Sequence, residues 1–134
     1  MEIPAKYDKA MRLENYIKAN MEAIELNVEH FQIPGVYVRV LKIPKGTVLT
    51  GKVHNYDCIS IVAKGKIMEA VEERVIEEGQ IFYTAAGTKR AGYAISDCIF
   101  ITVHRTDNTD IKEIESELVS DSVESYIEHF EVVS

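Results

Sequence analysis

The spacing of hydrophobic residues changes twice along this chain. Between residues 5 and 24, apolar side chains recur every three or four positions with charged residues between them, which predicts an amphipathic helix. After the turn signal Pro34-Gly35 the period falls to two, as Val36, Val38 and Val40 alternate with more polar neighbours. Thr47 to His54 is the next predicted strand, and similar short segments, separated by Gly, Pro, Asn and Asp, continue to about residue 105. The helical period returns from Thr106.

About eight short strands at close spacing predict an antiparallel sandwich or barrel. We therefore expect one all-β domain, with a helical arm at 1–25, strands at 26–105 and a helical tail at 106–134. The segment Leu26 to Ile33 is mixed and receives no assignment. The N-terminal helix packs either on the domain surface or on a second subunit, and the pattern leaves both open.

Composition narrows the classes of function. Apolar residues make up 46% of the chain and charged residues 28%, as in folded soluble proteins. A net charge of −7 disfavours binding to a nucleic-acid polymer, which needs a basic face. No apolar run approaches the ~20 residues of a membrane helix, and the N-terminus lacks an apolar signal core. We predict no membrane association and a cytoplasmic location.

Two stretches concentrate side chains that can do chemistry. Gly46 to Gly65 carries Lys52, His54, Asp57 and Cys58 within seven positions, and Gly79 to Arg90 follows it. Cys58 and Cys98 are predicted to be free thiols in a reducing compartment; pairing across facing strands is the alternative. No phosphate loop, nucleophile elbow, His-Glu-x-x-His or Cys-x-x-Cys motif is present.

These stretches resemble the paired motifs of the cupin superfamily, whose members are small jelly-roll barrels. The first family motif (Gly, five residues, His-x-His, three or four residues, Glu, six residues, Gly) runs from Gly46 to Gly65 without a gap. The second starts at Gly79, places Gly87 at its second glycine and Arg90 at its final histidine. The resemblance implies an antiparallel jelly roll. The segments IPKGTVLTGKVH, AAGTKRAGYA and TVHRTDNTDIKEIE also resemble small cupin-like proteins of tailed bacteriophages. This resemblance would place the protein in a host cytoplasm.

The metal-ligand positions of the family depart from its pattern. Metal-binding cupins hold their ion with four ligands. The resemblance places these ligand positions at Lys52, His54, Cys58 and Arg90 of this chain. Two cations beside a divalent ion are repulsive, so we predict that the usual metal site is absent and that no cofactor is bound. A smaller zinc site is the alternative, since zinc accepts nitrogen, sulfur and oxygen ligands. Its candidate ligands are His54, Asp57, Cys58 and His104.

If the motif register holds, Lys52 and Arg90 point into the barrel with His54. A buried cation needs a partner, which is either Asp57 or an anionic ligand. Lys89 is expected to be solvated. The predicted function is therefore non-enzymatic binding of a small anion, such as a nucleotide, phosphate or carboxylate. The candidate ligand-binding residues are Lys52, His54, Asp57, Cys58, Arg90, Tyr83 and Tyr93. A metal-dependent enzyme and a structural or interaction oligomer with a filled barrel are the alternatives.

Two strands also predict self-association. Ile59, Ile61 and Ala63 alternate away from the polar side chains of their strand, and Ile99, Ile101 and Val103 do the same. If the polar sets line the barrel, these apolar sets face outward and need cover. We predict a homodimer or a larger closed oligomer.

Overall fold

The computed structural model describes residues 1–130. A 3₁₀ turn (Ala5–Tyr7) leads into helix α1 (Asp8–Asn20), and the tail holds helices α2 (Ile111–Leu118) and α3 (Val123–Phe130). The strands are β1 (Asn27–Ile33), β2 (Gly35–Ile43), β3 (Val48–Thr50), β4 (Val53–His54), β5 (Cys58–Lys64), β6 (Lys66–Glu69), β7 (Arg74–Glu77), β8 (Ile81–Thr84), β9 (Ala91–Ala94), β10 (Cys98–Thr106) and β11 (Val119–Ser120).

Two antiparallel sheets face each other. One has the order β1-β2-β10-β5-β8 and the other the order β3-β9-β6-β7, while β11 pairs with β4 in a small third sheet. Neighbours such as β2 and β10 are distant in sequence, which is the crossed connectivity of a jelly roll. The predicted all-β fold, an antiparallel jelly roll with an N-terminal helix and a helical tail, is confirmed.

The four motif glycines hold the strand connections. Gly46, Gly65, Gly79 and Gly87 have φ values of 84°, 84°, 91° and 87°, a region that side chains with a Cβ rarely enter. At Gly87 space is also short, because a Cβ there would lie 3.0 Å from the hydroxyl of Tyr126. The Gly87 N–H donates to the His54 carbonyl at 2.7 Å. The two motifs therefore meet in space.

Three segments differ from the sequence prediction. The strand expected over Thr47 to His54 is interrupted at Gly51-Lys52, where the Gly51 N–H donates to the Arg90 carbonyl at 2.9 Å. The unassigned segment before Pro34 forms β1, which pairs with β2 along its whole length. The tail also contributes β11. In each case pairing with a distant strand outweighs the local pattern.

Helix α1 is fixed to the smaller sheet by a buried ion pair. Lys89 Nζ lies 2.8 Å from Glu14 and 2.6 Å from the Gly51 carbonyl, and its side chain is 1% exposed. The Glu14 carboxylate also accepts a hydrogen bond from Thr50. The expectation that Lys89 is solvated was therefore wrong. The sequence pattern placed Lys89 on the face opposite Arg90, but regular alternation begins only at β9, which follows both residues in the chain.

The tail helices close one end of the barrel. Asp110 caps α2 by accepting the Glu113 N–H at 3.1 Å, and Ile114 and Leu118 of that helix pack against Tyr37. The apolar face of α3 packs against Tyr7 and Val53. None of the helices in residues 1–130 is long and apolar enough to cross a membrane.

The larger sheet turns an apolar face outward. Strand register places Phe31, Val38, Val103, Ile59 and Tyr83 side by side across its five strands. Phe31 is 55% exposed and Tyr83 62%. The main contacts of α1 are with β3 and β9, and those of α2 and α3 are with β11. We call this surface the outer sheet face.

Candidate functional site

A cavity of about 860 Å³ lies between the two sheets. Its walls are the inner faces of β2, β10, β3, β6 and β9, together with α2 and the segment that follows α1. Several lining residues are exposed at 21–25, 45–46 and 51–52, so the cavity opens between the edge strands β1 and β3. This volume lies in the range of small-molecule sites, about 300–1,000 Å³.

The chemistry of the inner face changes halfway along the strands. On β2, Tyr37 and Arg39 are followed by Leu41 and Ile43; on β10, the partners of these residues are His104, Thr102, Phe100 and Cys98. We call the two halves the polar end and the apolar end. The polar end comprises Tyr37, Arg39, His54, Ser60, Thr84, Arg90, Thr102 and His104. The apolar end comprises Leu41, Ile43, Val62, Ile67, Ile76, Ala94, Cys98 and Phe100.

Stacked rings form one wall of the polar end. The His54 and His104 rings are 6.1 Å apart and nearly parallel, and the Tyr37 ring lies 5.8 Å from His104. His104 Nε2 is 2.8 Å from Thr102 Oγ1, and His30 Nδ1 is 2.6 Å from the Tyr37 hydroxyl. These contacts fix the ring orientations, so the imidazole edges are presented to the cavity in defined positions.

Both cavity histidines are neutral at neutral pH. Burial lowers the pKa of His54 to about 4, with further lowering by His104, Arg90 and Arg39. Burial and Arg39 lower the pKa of His104 to about 4 as well. His54 therefore offers a neutral imidazole, and not a cation, to a ligand of the free protein at pH 6. The sequence pattern contained no measure of this desolvation.

Arg90 is the cation at the centre of the site. Its Nη2 donates to Thr84 Oγ1 at 3.0 Å, and its guanidinium carbon lies 5.0 Å from the Phe82 ring centre. The buried Nε of Arg90 has no hydrogen-bond partner among the described residues. Burial lowers the pKa of Arg90, while the charge of Glu69 acts in the opposite direction. A buried donor without a partner is costly unless a ligand accepts from it.

Arg39, Glu69 and Thr102 also line the cavity, although the sequence pattern did not single them out. Arg39 forms no ion pair within residues 1–130. The Glu69 carboxylate accepts from the backbone N–H groups of Val71 and Glu72 at 3.1 and 2.7 Å, so it is fixed at a turn. The alternation of β2 gave no signal for them, because its valines face outward and Tyr37 and Arg39 face inward, the reverse of a solvated strand.

Lys52 does not join the basic cluster. Its Nζ lies 2.8 Å from Asp121, and its side chain is 54% exposed at the cavity rim. The interruption at Gly51-Lys52 breaks the alternation that would have placed Lys52 on the same face as His54. The expectation of an inward Lys52 was wrong.

Asp57, Tyr83 and Tyr93 lie outside the cavity. Asp57 accepts hydrogen bonds from the Tyr83 hydroxyl and from the Ala86 N–H, and these two bonds lower its pKa. Tyr83 and Tyr93 are exposed on the outward faces of β8 and β9. Of the predicted ligand-binding residues, the structure brings together His54, Cys58 and Arg90. It does not bring Lys52, Asp57, Tyr83 or Tyr93 to them.

The residues at the family's ligand positions do not fit a metal ion. Cys58 Sγ lies 3.7 Å from His54 Nδ1, and burial raises the pKa of this thiol, so the thiolate that zinc prefers is disfavoured. Asp57 is directed to a turn, away from His54 and His104. Within residues 1–130 no group of three or more His, Cys, Asp or Glu side chains is placed to hold a metal. Both cysteines are free and buried, as predicted.

Two facing antiparallel sheets, closed around a ligand-sized cavity and joined at left-handed glycines, define a cupin-type jelly roll. Solved structures agree. KdgF from Halomonas sp. is 19% identical over 66% of this chain and 86% of that protein, with a TM-score of 0.54. An RmlC-like cupin protein from Ralstonia eutropha is 16% identical over 81% of this chain and 73% of that protein, with a TM-score of 0.54.

An RmlC-like cupin with a double-stranded β-helix fold from Methanocaldococcus jannaschii is 20% identical over 64% of this chain and 84% of that protein, with a TM-score of 0.51. No protein-family model and no curated protein matches the chain. At these identities the likeness establishes the fold: the chain is a cupin-type double-stranded β-helix.

Proposed function

We propose that this protein binds a small anionic ligand inside the barrel, at the polar end, without catalysing a reaction on it. The observation that carries the proposal is Arg90: its guanidinium lines an open cavity, makes no ion pair within residues 1–130, and leaves a buried Nε donor free. Arg39 adds a second cation without an ion pair to the same cavity. A planar guanidinium with free donors suits a carboxylate or phosphate oxygen.

The neighbours of Arg90 support binding more than chemistry. His54 and His104 are neutral donors or acceptors at pH 7, and Thr102 and Thr84 offer hydroxyls. The thiol of Cys58 is protonated at neutral pH because burial raises its pKa, so it is a poor nucleophile. No observation in residues 1–130 favours a metal-dependent reaction, since Arg90 occupies the position of one of the family's metal ligands.

The test is calorimetric titration of the 134-residue protein with acetate, octanoate, inorganic phosphate and AMP at pH 7.5. At least one anion should bind, and Arg90→Met should weaken that binding by roughly 2–5 kcal/mol, because a buried charge pair is lost. Arg105→Met is the matched control, since Arg105 is exposed and lies outside this cavity. Equal affinity in the Arg90→Met protein, or no binding by any of the anions, would exclude the barrel as an anion site.

The outer sheet face favours a second role, self-association. Its strands reach nine residues in length. The five strands, of four to nine residues, span on the order of 500–600 Å², close to the ~600 Å² that each partner buries at the lower end of stable interfaces. Ile33, Ile81 and Tyr83 are more than 60% exposed on it. Contiguous exposed apolar surface of this size marks an interaction site, and we propose a homodimer through it.

Light scattering at micromolar concentration checks this second role. The wild-type mass should be that of two chains, and Ile59→Asp, on β5 of the outer sheet face, should give a monomer. Val75→Asp is the control: Val75 is also exposed, at 38%, but belongs to the smaller sheet. A monomeric wild-type protein would contradict the dimer. The resemblance to bacteriophage proteins and the cytoplasmic location stay predictions from the sequence.

A further inference from the structure

The charges inside the cavity restrict the charge of its ligand. Lining residues that are buried or half-buried include two cations, Arg39 and Arg90, and one anion, Glu69, which is 2% exposed. Glu69 is held by two backbone N–H groups and acts electrostatically on Arg90. The interior therefore has one positive charge in excess, which a ligand with one negative charge balances.

The rim disfavours more highly charged ligands. The exposed lining residues there include Glu22, Glu25 and Glu115, against Lys45 and Lys52. Lys52 is already neutralised by Asp121 at 2.8 Å. A nucleotide or sugar phosphate, which has two or more negative charges, would meet this acidic rim and find only one excess positive charge inside.

The rest of the cavity is apolar. Beyond Arg39 and Thr102 the same strands present Leu41, Ile43 and Phe100, and the opposite sheet presents Leu49, Ile67 and Ile76. A ligand whose charged group reaches Arg90 and whose remainder extends toward these side chains removes apolar surface from water. A small hydrophilic anion leaves this half of the cavity unused.

From these observations we infer that the ligand is an amphipathic monocarboxylate: one carboxylate on Arg90 and an apolar acyl chain or ring system against the apolar end. The inference rests on the proposed function and narrows it. A monoanionic carboxylate matches the charge excess, accepts from Nε and Nη2 of one guanidinium, and leaves no second charge to be buried.

The experiment is calorimetric titration at pH 7.5 with two ligand series. The first series, butanoate, hexanoate and octanoate, varies only the apolar body. The second series keeps the octyl body and varies the head group: octanoate, octan-1-ol and octyl phosphate. AMP and inorganic phosphate represent hydrophilic anions. We expect affinity to rise about fourfold per added methylene in the first series, from the transfer free energy of a CH₂ group.

In the second series octanoate should bind at least roughly tenfold more tightly than octan-1-ol, which has no charge. It should exceed octyl phosphate by the same factor, because octyl phosphate carries more negative charge than octanoate. Arg90→Met should remove the preference for octanoate over octan-1-ol, and Arg105→Met should keep it. If Arg90→Met does not fold, Arg39→Met serves as the second variant, because loss of either cation removes the positive excess.

Four outcomes overturn the inference. Tighter binding of AMP, phosphate or octyl phosphate than of octanoate would leave the proposed anion site standing and reject the monocarboxylate. Affinity that does not depend on chain length would reject only the apolar part of the inferred ligand. Absence of binding by every acid and phosphate, or equal binding of octan-1-ol and octanoate, would reject the anion site and the monocarboxylate together.

Discussion

The polar end and the apolar end of the barrel lie on the same strands, a few residues apart, and differ in how completely their groups are partnered. At the apolar end Val62, Ile76 and Cys98 are at most 2% exposed and contact other apolar side chains. At the polar end the Nε donor of Arg90 has no partner among the described residues, and His54 and His104 are desolvated enough to lower their pKa values to about 4. Packing accounts for the apolar end. At the polar end, a cation that makes no ion pair within residues 1–130 points to a ligand.

The largest expected effect comes from opening the apolar end. Ile76→Ala should reduce the free energy of unfolding by roughly 2–5 kcal/mol, because it removes buried methylenes and leaves a cavity. Urea denaturation followed by circular dichroism measures it. Val75→Ala is the matched control on the same strand, since its side chain faces solvent and should cost less than about 0.5 kcal/mol. Equal losses in the two variants would mean that β7 does not seal the barrel.

The polar end should make stability dependent on pH. The pKa values of His54 and His104 are about 4 in the folded protein and about 6.5 when unfolded, so the unfolded chain binds more protons between these values. Stability should therefore be complete above pH 6.5 and fall as pH drops toward 4, by roughly 1–3 kcal/mol per histidine.

Urea midpoints measured from pH 7 to pH 4.5 check this slope. The double variant His54→Asn, His104→Gln should flatten it, whereas His129→Gln, on an exposed position of α3, should not. A wild-type slope that persists unchanged in the double variant would assign it to carboxylates elsewhere and remove the argument for desolvated imidazoles.

The smallest effect sharpens the comparison most. Without ligand, Arg90→Met should change the free energy of unfolding by no more than about 1 kcal/mol, because an unpaired, desolvated cation contributes little to stability and Met retains the contact with Phe82. The same urea measurement applies. A loss of 3 kcal/mol or more would show that Arg90 is a structural part of the core, as Ile76 is.

Motif spacing was enough to predict the fold. The glycines at 46, 65, 79 and 87 all adopt positive φ, so their spacing reports backbone geometry that other residues rarely take. The site was predicted in part. His54 and Arg90 line the cavity and Cys58 lies beside His54, because these residues lie on β4 and β5 or beside β9, whose alternation the sequence displays.

The wrong and missed residues have physical reasons. Lys52 lies at the interruption between β3 and β4. The direction of its side chain therefore depends on the hydrogen bond from Gly51 to the Arg90 carbonyl, which local alternation does not encode. The Asp57 carboxylate accepts hydrogen bonds from Tyr83 on β8 and from Ala86 in the turn after it, which lie 26 or more residues away in the sequence. Tyr37 and Arg39 were missed because nothing local says which face of β2 turns inward; only its neighbours in the sheet decide that.

The most direct test of the anion site observes Arg90 Nε itself. Proton–nitrogen NMR correlation of arginine Nε groups resolves one signal per arginine, and the Arg90→Met spectrum assigns the signal of Arg90. We predict that adding octanoate shifts the Arg90 signal and leaves those of the exposed Arg12 and Arg105 in place. An Arg90 signal that stays fixed while the protein is saturated with octanoate would contradict the account.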